Sequence, residues 1–289
     1  MSFFRPYVKT FLKFLLYLIL SLFLALLLRL FLCNFYRVPS DSMAPTVTAG
    51  DFILAGKLKY GARIFTSLKF SRYSDPPMKR VPGLGRIRRN DVLVFNFPYG
   101  KTWDTVRMNP NKYFIKRCVG IPGDSLSIVN GFYRIAGLSD TAGFIPAQKQ
   151  LARYGNNLDS AVLRTFPFDT IFRWDAFNFG PFYIPAAGTT IPLTPKNYIL
   201  FHRQMVYETN ASVILKDSSV YINDTLAHGY TFRHDWFFMA GDNAVNAQDS
   251  RHIGLIPDDY IVGIASRIMS SKDMYTGKRR WKRTMKRIK

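Results

Sequence analysis

Three segments of this sequence carry residues that could do chemistry together. The first reads Tyr36-Arg37-Val38-Pro39-Ser40-Asp41-Ser42-Met43-Ala44-Pro45-Thr46 and offers hydroxyls at Ser40 and Ser42. The second reads Tyr113-Phe114-Ile115-Lys116-Arg117-Cys118-Val119-Gly120 and sets Lys116 inside an otherwise apolar strand pattern. The third runs from Gly241-Asp242-Asn243 through Ala247 to Asp249-Ser250-Arg251, dense in turn formers and polar side chains. A serine hydroxyl is a weak nucleophile until a neighbour takes its proton. A free lysine, with a pKa of ~10.4, already holds its proton. Burial lowers that pKa, because it disfavours the charged ammonium. A serine beside a buried lysine would therefore be competent for acyl transfer. Each segment also has a plain structural reading. A serine between prolines is a turn, and a lysine in a strand is more commonly exposed at a sheet edge than buried at a cost.

Other chemistries find little support. Cys33 and Cys118 are the only cysteines and give neither a disulfide framework nor a metal-binding pair. His202, His228, His234 and His252 lack ligand spacing. No cofactor and no metal is expected. The net charge of +21 calls for a partner or a location, with nucleic acid and anionic lipid as the generic candidates.

The N-terminal region bears on that choice. Phe14 to Leu28 is a nearly unbroken apolar run, followed by Arg29 and then Leu30, Phe31 and Leu32. About 20 helical residues cross a hydrocarbon core, and the segment from Phe11 to Cys33 is long enough. Arg5, Lys9 and Lys13 precede it, so the N-terminus is expected to stay cytoplasmic. A cleaved signal peptide, a lipoprotein signal ending at Cys33 and a buried core helix are the competing readings. The bulky Leu32-Cys33-Asn34-Phe35 lacks a small-x-small site, and the run is apolar all round. A retained anchor places the rest of the chain outside the cytoplasm, which argues against nucleic acid.

Beyond the anchor, short apolar runs alternate with Gly, Pro and Asn-Asp signals, the pattern of a mostly β chain. Strands are expected at Asp51–Ala55, Asp91–Phe97, Tyr113–Val119, Ser125–Val129, Tyr198–Phe201, Ser212–Leu215, Ser219–Ile222 and Trp236–Met239, with no long helix after the anchor. Arg63 to Arg89 holds eight basic residues against one acid and reads as a solvated loop or hairpin. Lys272 to Lys289 holds nine against one, with Trp281 among them. It reads either as a solvated tail or as a contact with anionic lipid.

Together the three segments resemble the type I signal peptidase family. The match lies in Ser40-Asp41-Ser42-Met43-Ala44-Pro45-Thr46, in Tyr113-Phe114-Ile115-Lys116-Arg117-Cys118-Val119-Gly120-Ile121-Pro122-Gly123-Asp124, and in Gly241-Asp242-Asn243 with Asp249-Ser250-Arg251. It covers about Tyr36 to Ala136 and Tyr230 to Ser266. The resemblance implies a mostly β fold: an N-terminal transmembrane helix, then an antiparallel catalytic core with an inserted second β-rich domain. Residues 1–13 would be cytoplasmic, 14–33 the anchor, 34–137 and 229–271 the core, 138–228 the insertion and 272–289 a basic tail. It implies removal of signal peptides from exported preproteins at the bacterial inner membrane. Ser42 would be the nucleophile and Lys116 its base, with the Ser42 N–H and the Ser40 hydroxyl as oxyanion hole. Val38, Ile53, Phe114 and Ile115 would wall the substrate pockets. Asp242 would pair with Arg117 and Asp249 with Arg251. The family's usual lysine-binding serine is replaced by Ala247, and its usual Arg-Asp pair by Ala244-Val245, leaving a backbone carbonyl or Ser250 to hold the lysine. A non-catalytic paralogue that binds preproteins or a secretion partner is the alternative. Restoring serine at position 247 is expected to raise the cleavage rate or leave it unchanged, measured on a purified preprotein.

Overall fold

The computed structural model describes residues 4–67, 75–100, 102–139, 142–155 and 160–289. Residues 68–74 of the basic Arg63–Arg89 segment lie outside the described residues, as do 1–3 of the N-terminus. A helix runs from Phe4 to Phe31. Its Lys9–Phe31 stretch, with mean hydropathy 2.6, is the one helix among the described residues long and apolar enough to cross a membrane. Leu32 turns the chain and Cys33 opens the first strand.

That helix end is tied to the body of the protein by a residue that pattern reading does not single out. The last carbonyls of a helix lack intrahelical donors. Lys57 Nζ donates to the Arg29 and Leu30 carbonyls at 2.7 and 3.1 Å. Burial and the nearby Arg63 guanidinium lower the Lys57 amine to about 8.

A seven-stranded antiparallel sheet forms the body. Across it lie Cys33–Arg37, Asp51–Gly56, Ile261–Ser271, Val92–Phe97, Asn109–Gly120, Trp236–Ala240 and Ile256–Pro257. Every residue of Val92–Phe97 and of Trp236–Ala240 is buried, so these central strands read as solid apolar runs rather than alternating ones. Phe132–Ile135, Ser125–Val129 and Phe179–Tyr183 make a second, three-stranded sheet with strands from both sides of position 138. Leu126 pairs with Ile135 on one side and Phe182 on the other. Phe179 packs edge-on against Phe238 of the large sheet, ring centroids 5.8 Å apart, so the two sheets share one core.

One expected strand is a helix. Tyr198–Phe201 lies within the helix Pro195–Thr209, and a further helix spans Ile145–Tyr154. Thr194 caps the former by accepting from the Asn197 N–H, and Pro195 follows in the first turn. Leu200, Phe201, Gln204 and Met205 then bury one face at helical spacing. Four apolar residues are too few to tell a strand from a helix; the upstream cap starts the helix and the burial of one face decides it.

The basic C-terminal segment is not a free tail. Its backbone returns to the Ile261–Ser271 strand through Ile268 N to Lys286 O and Ile288 N to Ser266 O. Arg283 donates to both oxygens of the fully buried Asp51, at 3.2 and 2.6 Å, and to the Pro45 and Thr46 carbonyls at 3.1 Å each. Arg280 reaches the Ala49 carbonyl. Burial alone would raise the Asp51 carboxyl, but Arg283 and the Ser271 hydroxyl outweigh it and hold the pKa low. The braced residues, 45–51, begin three positions after Ser42. Arg283→Gln is expected to destabilise the protein by roughly 2 kcal/mol, since a buried carboxylate loses its closest cation. Thermal melts will measure the loss.

Candidate active site

Ser42 sits in a tight turn after the first strand. The turn is closed by Ala44 N to Asp41 O and Val47 N to Met43 O, each 2.9 Å, and by the Ala49 N–H on the Asp41 carboxylate at 2.8 Å. Met43 and Val47 are buried beneath it with Val38, Ile53 and Val94, so apolar packing holds the turn down and leaves Ser42 at the surface of a groove. Lys116 lies on the long Asn109–Gly120 strand, opposite Leu93. Side chains alternate along a strand, and Lys116 turns to Ser42 while Arg117 turns away. The Lys116 amine lies 2.5 Å from Ser42 Oγ. It is 3% exposed and sits over the Phe114 ring at 5.4 Å. Burial is the main cause that pulls its pKa from 10.5 down to about 8, with Arg251 adding to the fall and the Asp249 and Asp242 carboxylates opposing it.

The third segment forms the wall that closes this arrangement. Arg117 Nε and Nη2 grip Asp242 at 2.7 and 2.5 Å. Arg251 Nε and Nη2 grip Asp249 at 2.9 Å each, both partners without solvent exposure. Burial would raise the Asp249 carboxyl, but the Arg251 guanidinium overrides it and holds the carboxyl well below the usual range. Each partner also organises backbone: Asp249 accepts from the Gly241 N–H at 2.9 Å, and Arg251 donates to the Ala244 carbonyl at 2.8 Å. Asn243 bridges to the nucleophile turn, its N–H donating to Ser42 O at 3.1 Å and its Nδ2 to Asp41 O at 3.2 Å. The Asp242 N–H points at Met43 Sδ, 3.4 Å away. Gly241 permits this closeness, since a Cβ there would lie 2.6 Å from Ser42 O and 2.4 Å from the Ala247 Cβ.

Not every expected residue takes its expected place. Ser250 accepts from the Met239 N–H at 2.9 Å and so serves the sheet rather than the lysine. Ile53 is wholly buried under the turn and does not line the groove. It falls on the inward face of its strand, where burial alternates residue by residue. Val38, Ser40, Phe114 and Ile115 do line the groove, which encloses about 560 Å³ between residues 36–43 and 111–116. Asn246 and Gln248 close its Ser42 end and were not foreseen, because they reach it across more than 200 residues of chain. Among the described residues, neither the Ser42 N–H nor the Ser40 hydroxyl has a hydrogen-bond partner, so both donors are free.

The arrangement sets a serine hydroxyl beside a lysine amine kept largely dry. Comparison with known proteins gives it a family. The family model for signal peptidase, peptidase S26, matches residues 11–270. Signal peptidase I of Pseudomonas fluorescens is 28% identical over 264 residues, covering 83% of this chain and 66% of that one. The Pseudomonas aeruginosa enzyme is 28% identical over 252 residues with the same coverage. That of Aquifex aeolicus is 25% identical over 239 residues, covering 81% of this chain and 75% of its own. The chain thus spans just under two thirds of the length of the two Pseudomonas relatives. With one model matching from the apolar helix to the end of the long C-terminal strand, the chain belongs to the signal peptidase family, peptidase S26.

Proposed function

We propose that this protein is a membrane-anchored serine endopeptidase that removes N-terminal signal peptides from exported preproteins, with Ser42 as nucleophile and Lys116 as general base. The observation that carries the proposal is the buried Lys116 amine 2.5 Å from Ser42 Oγ. The neutral amine takes the Ser42 proton as Oγ attacks the scissile carbonyl carbon. The resulting oxyanion is held by the Ser42 N–H and the Ser40 hydroxyl; losing one such donor typically costs ~10²–10³ in rate. Collapse breaks the peptide C–N bond, and the Lys116 ammonium gives its proton to the departing amine. Water then attacks the acyl ester and passes a proton to Lys116, which returns it to Ser42 Oγ as the ester C–O bond breaks and the signal peptide leaves as its carboxylate. The Lys9–Phe31 helix spans the inner membrane, with Arg5, Lys9 and Lys13 on the cytoplasmic side and the sheet on the outer face. The basic segment, with Trp281 67% exposed, keeps a second role in contacting anionic lipid.

Cleavage of a preprotein with a small-x-small site tests this. The wild type should cut after the second small residue, and Ser42→Ala and Lys116→Ala should not. Ala247, where a lysine-binding serine is usual, favours one rival: a non-catalytic protein that still binds preproteins. Binding without cleavage by the wild type would establish that rival. The pH profile is a further check. Only neutral Lys116 can act as base, so kcat/KM is expected to rise about tenfold per unit below pH 8 and to level off above it. An acidic limb centred near pH 6 or below would remove Lys116 from that role.

A further inference from the structure

The groove has a direction. At one end the Tyr36 and Tyr113 rings meet, centroids 5.1 Å apart. At the other, Ser42 meets Lys116. The two tyrosines also border a cavity shared with Leu26, Arg29 and Leu30 of the apolar N-terminal helix. The end remote from Ser42 is therefore the helix end. A preprotein whose apolar segment lies in the bilayer enters from that side. Its residues after the scissile bond must then continue past Ser42, away from the helix.

What lies there is the turn carrying Ala247. Asn246 and Gln248 face the groove and also, with Val245 and Ala247, line a second cavity of about 480 Å³ beyond it. Among the described residues the opposite walls are Trp103, Phe168, Val162, Arg164 and His252, none of them acidic. Trp103 and Phe168 are 38% and 40% exposed, far more than the aromatic core behind them. Trp103 stacks flat on the buried Tyr99, rings 5.3 Å apart and 4° from parallel, which makes it a rigid platform. Arg164 lies over the Phe168 ring at 5.5 Å. An extended chain advances about 3.3 Å per residue, so only the first few residues after the cut fall within reach.

Building on the reading of this chain as a signal peptidase, we infer that the cavity between Trp103, Phe168 and the 245–248 turn is the subsite for the substrate residues that follow the scissile bond. It receives apolar side chains on the aromatic platform, and beside Arg164 it favours acidic over basic residues. The occupant is the start of the exported portion of the preprotein, and continuity with the groove at Asn246 and Gln248 fixes its polarity.

Two measurements with the full chain test this. Preproteins differing only in Glu or Lys at the second position after the cut should differ about fivefold in kcat/KM in the wild type, the scale of two exposed charge contacts. In Arg164→Gln the ratio should fall to within about twofold of one. A ratio within one preparation is insensitive to loss of folded enzyme. A wild-type ratio of one or less, or a ratio that Arg164→Gln leaves unchanged, overturns the inference. In the second arm, the Ser42→Ala protein is incubated with a preprotein carrying a photoreactive residue at that same position. Adducts on Trp103 or Phe168 support the subsite. Adducts confined to residues 36–40 and 111–114 overturn it. Cavity adducts together with a wild type that cuts nothing would leave the subsite standing and defeat the catalytic reading instead.

Discussion

Replacing Lys116 with methionine is expected to abolish cleavage and, at the same time, to make the protein more stable. The loss of a general base at a serine nucleophile should cost on the order of 10⁴-fold in kcat/KM. The stability gain follows from what the active site stores. Burial is the main cause that lowers the Lys116 amine to about 8 in the folded protein, from the 10.5 of a free lysine. Below pH 8 the folded protein therefore carries a desolvated ammonium that costs on the order of 3 kcal/mol relative to the unfolded chain. Methionine matches the length of the side chain and removes that cost, offset by about 1 kcal/mol for the hydrogen bond to Ser42. The linkage has a definite sign. Between pH 8 and 10.5 the unfolded chain binds a proton that the folded protein does not, so wild-type stability should rise with pH through this window. The methionine variant should lose that rise. Denaturant titrations at pH 7, 9 and 10 measure both effects; a variant less stable than wild type at pH 7 would show that Lys116 is not a strained buried base.

Asp249→Asn is expected to be the most destabilising single change at the site. Asp249 and Arg251 are wholly buried and held by two side-chain hydrogen bonds to each other, and the Arg251 backbone N–H donates to the same carboxylate. Removing one charge leaves the other uncompensated in the interior, typically at about 3–5 kcal/mol. Asparagine keeps an oxygen for the Gly241 N–H but turns an amide NH2 toward the Arg251 N–H and Nε, so the loss combines the missing charge with those two missing acceptor contacts. Chemical denaturation will measure it, and Asp249→Asn/Arg251→Gln should recover part of the loss because no lone cation remains. The same substitution acts on catalysis at a distance. The Asp249 carboxylate favours the charged form of Lys116. Without it, the acidic limb of the pH–rate profile should move to lower pH while the maximal rate falls. A limb that does not move would show that Asp249 holds the fold without tuning the lysine.

The candidate site was legible in the sequence because its parts are local. Ser42 and Lys116 each stand in a short, specific motif, and the apolar run that becomes the Phe4–Phe31 helix announces itself by length and composition. The pairing of Arg117 with Asp242 and of Arg251 with Asp249, which the family resemblance implied, is present in the fold. The misreadings came where local pattern is ambiguous or where the partner is remote. Tyr198–Phe201 is too short a run to separate strand from helix, and burial of Leu200, Phe201, Gln204 and Met205 on one face decided it. Ile53 and Val38 are equally apolar in the sequence, yet only Val38 borders the groove.

Tertiary structure also converted a basic tail into a brace. Charge density marks a solvated segment when nothing nearby needs the charge. A buried carboxylate at Asp51, more than 200 residues away, needs it, and no local pattern connects the two. The same holds for Lys57 on the helix carbonyls and for Asn243 on the nucleophile turn. The amino-acid sequence by itself determined which segments carry the candidate reacting groups and that a long apolar helix precedes them. Folding decided how far the lysine is desolvated, which cations lose their water to a buried acid, and which way the groove runs, because burial and long-range pairing depend on what the rest of the chain brings alongside.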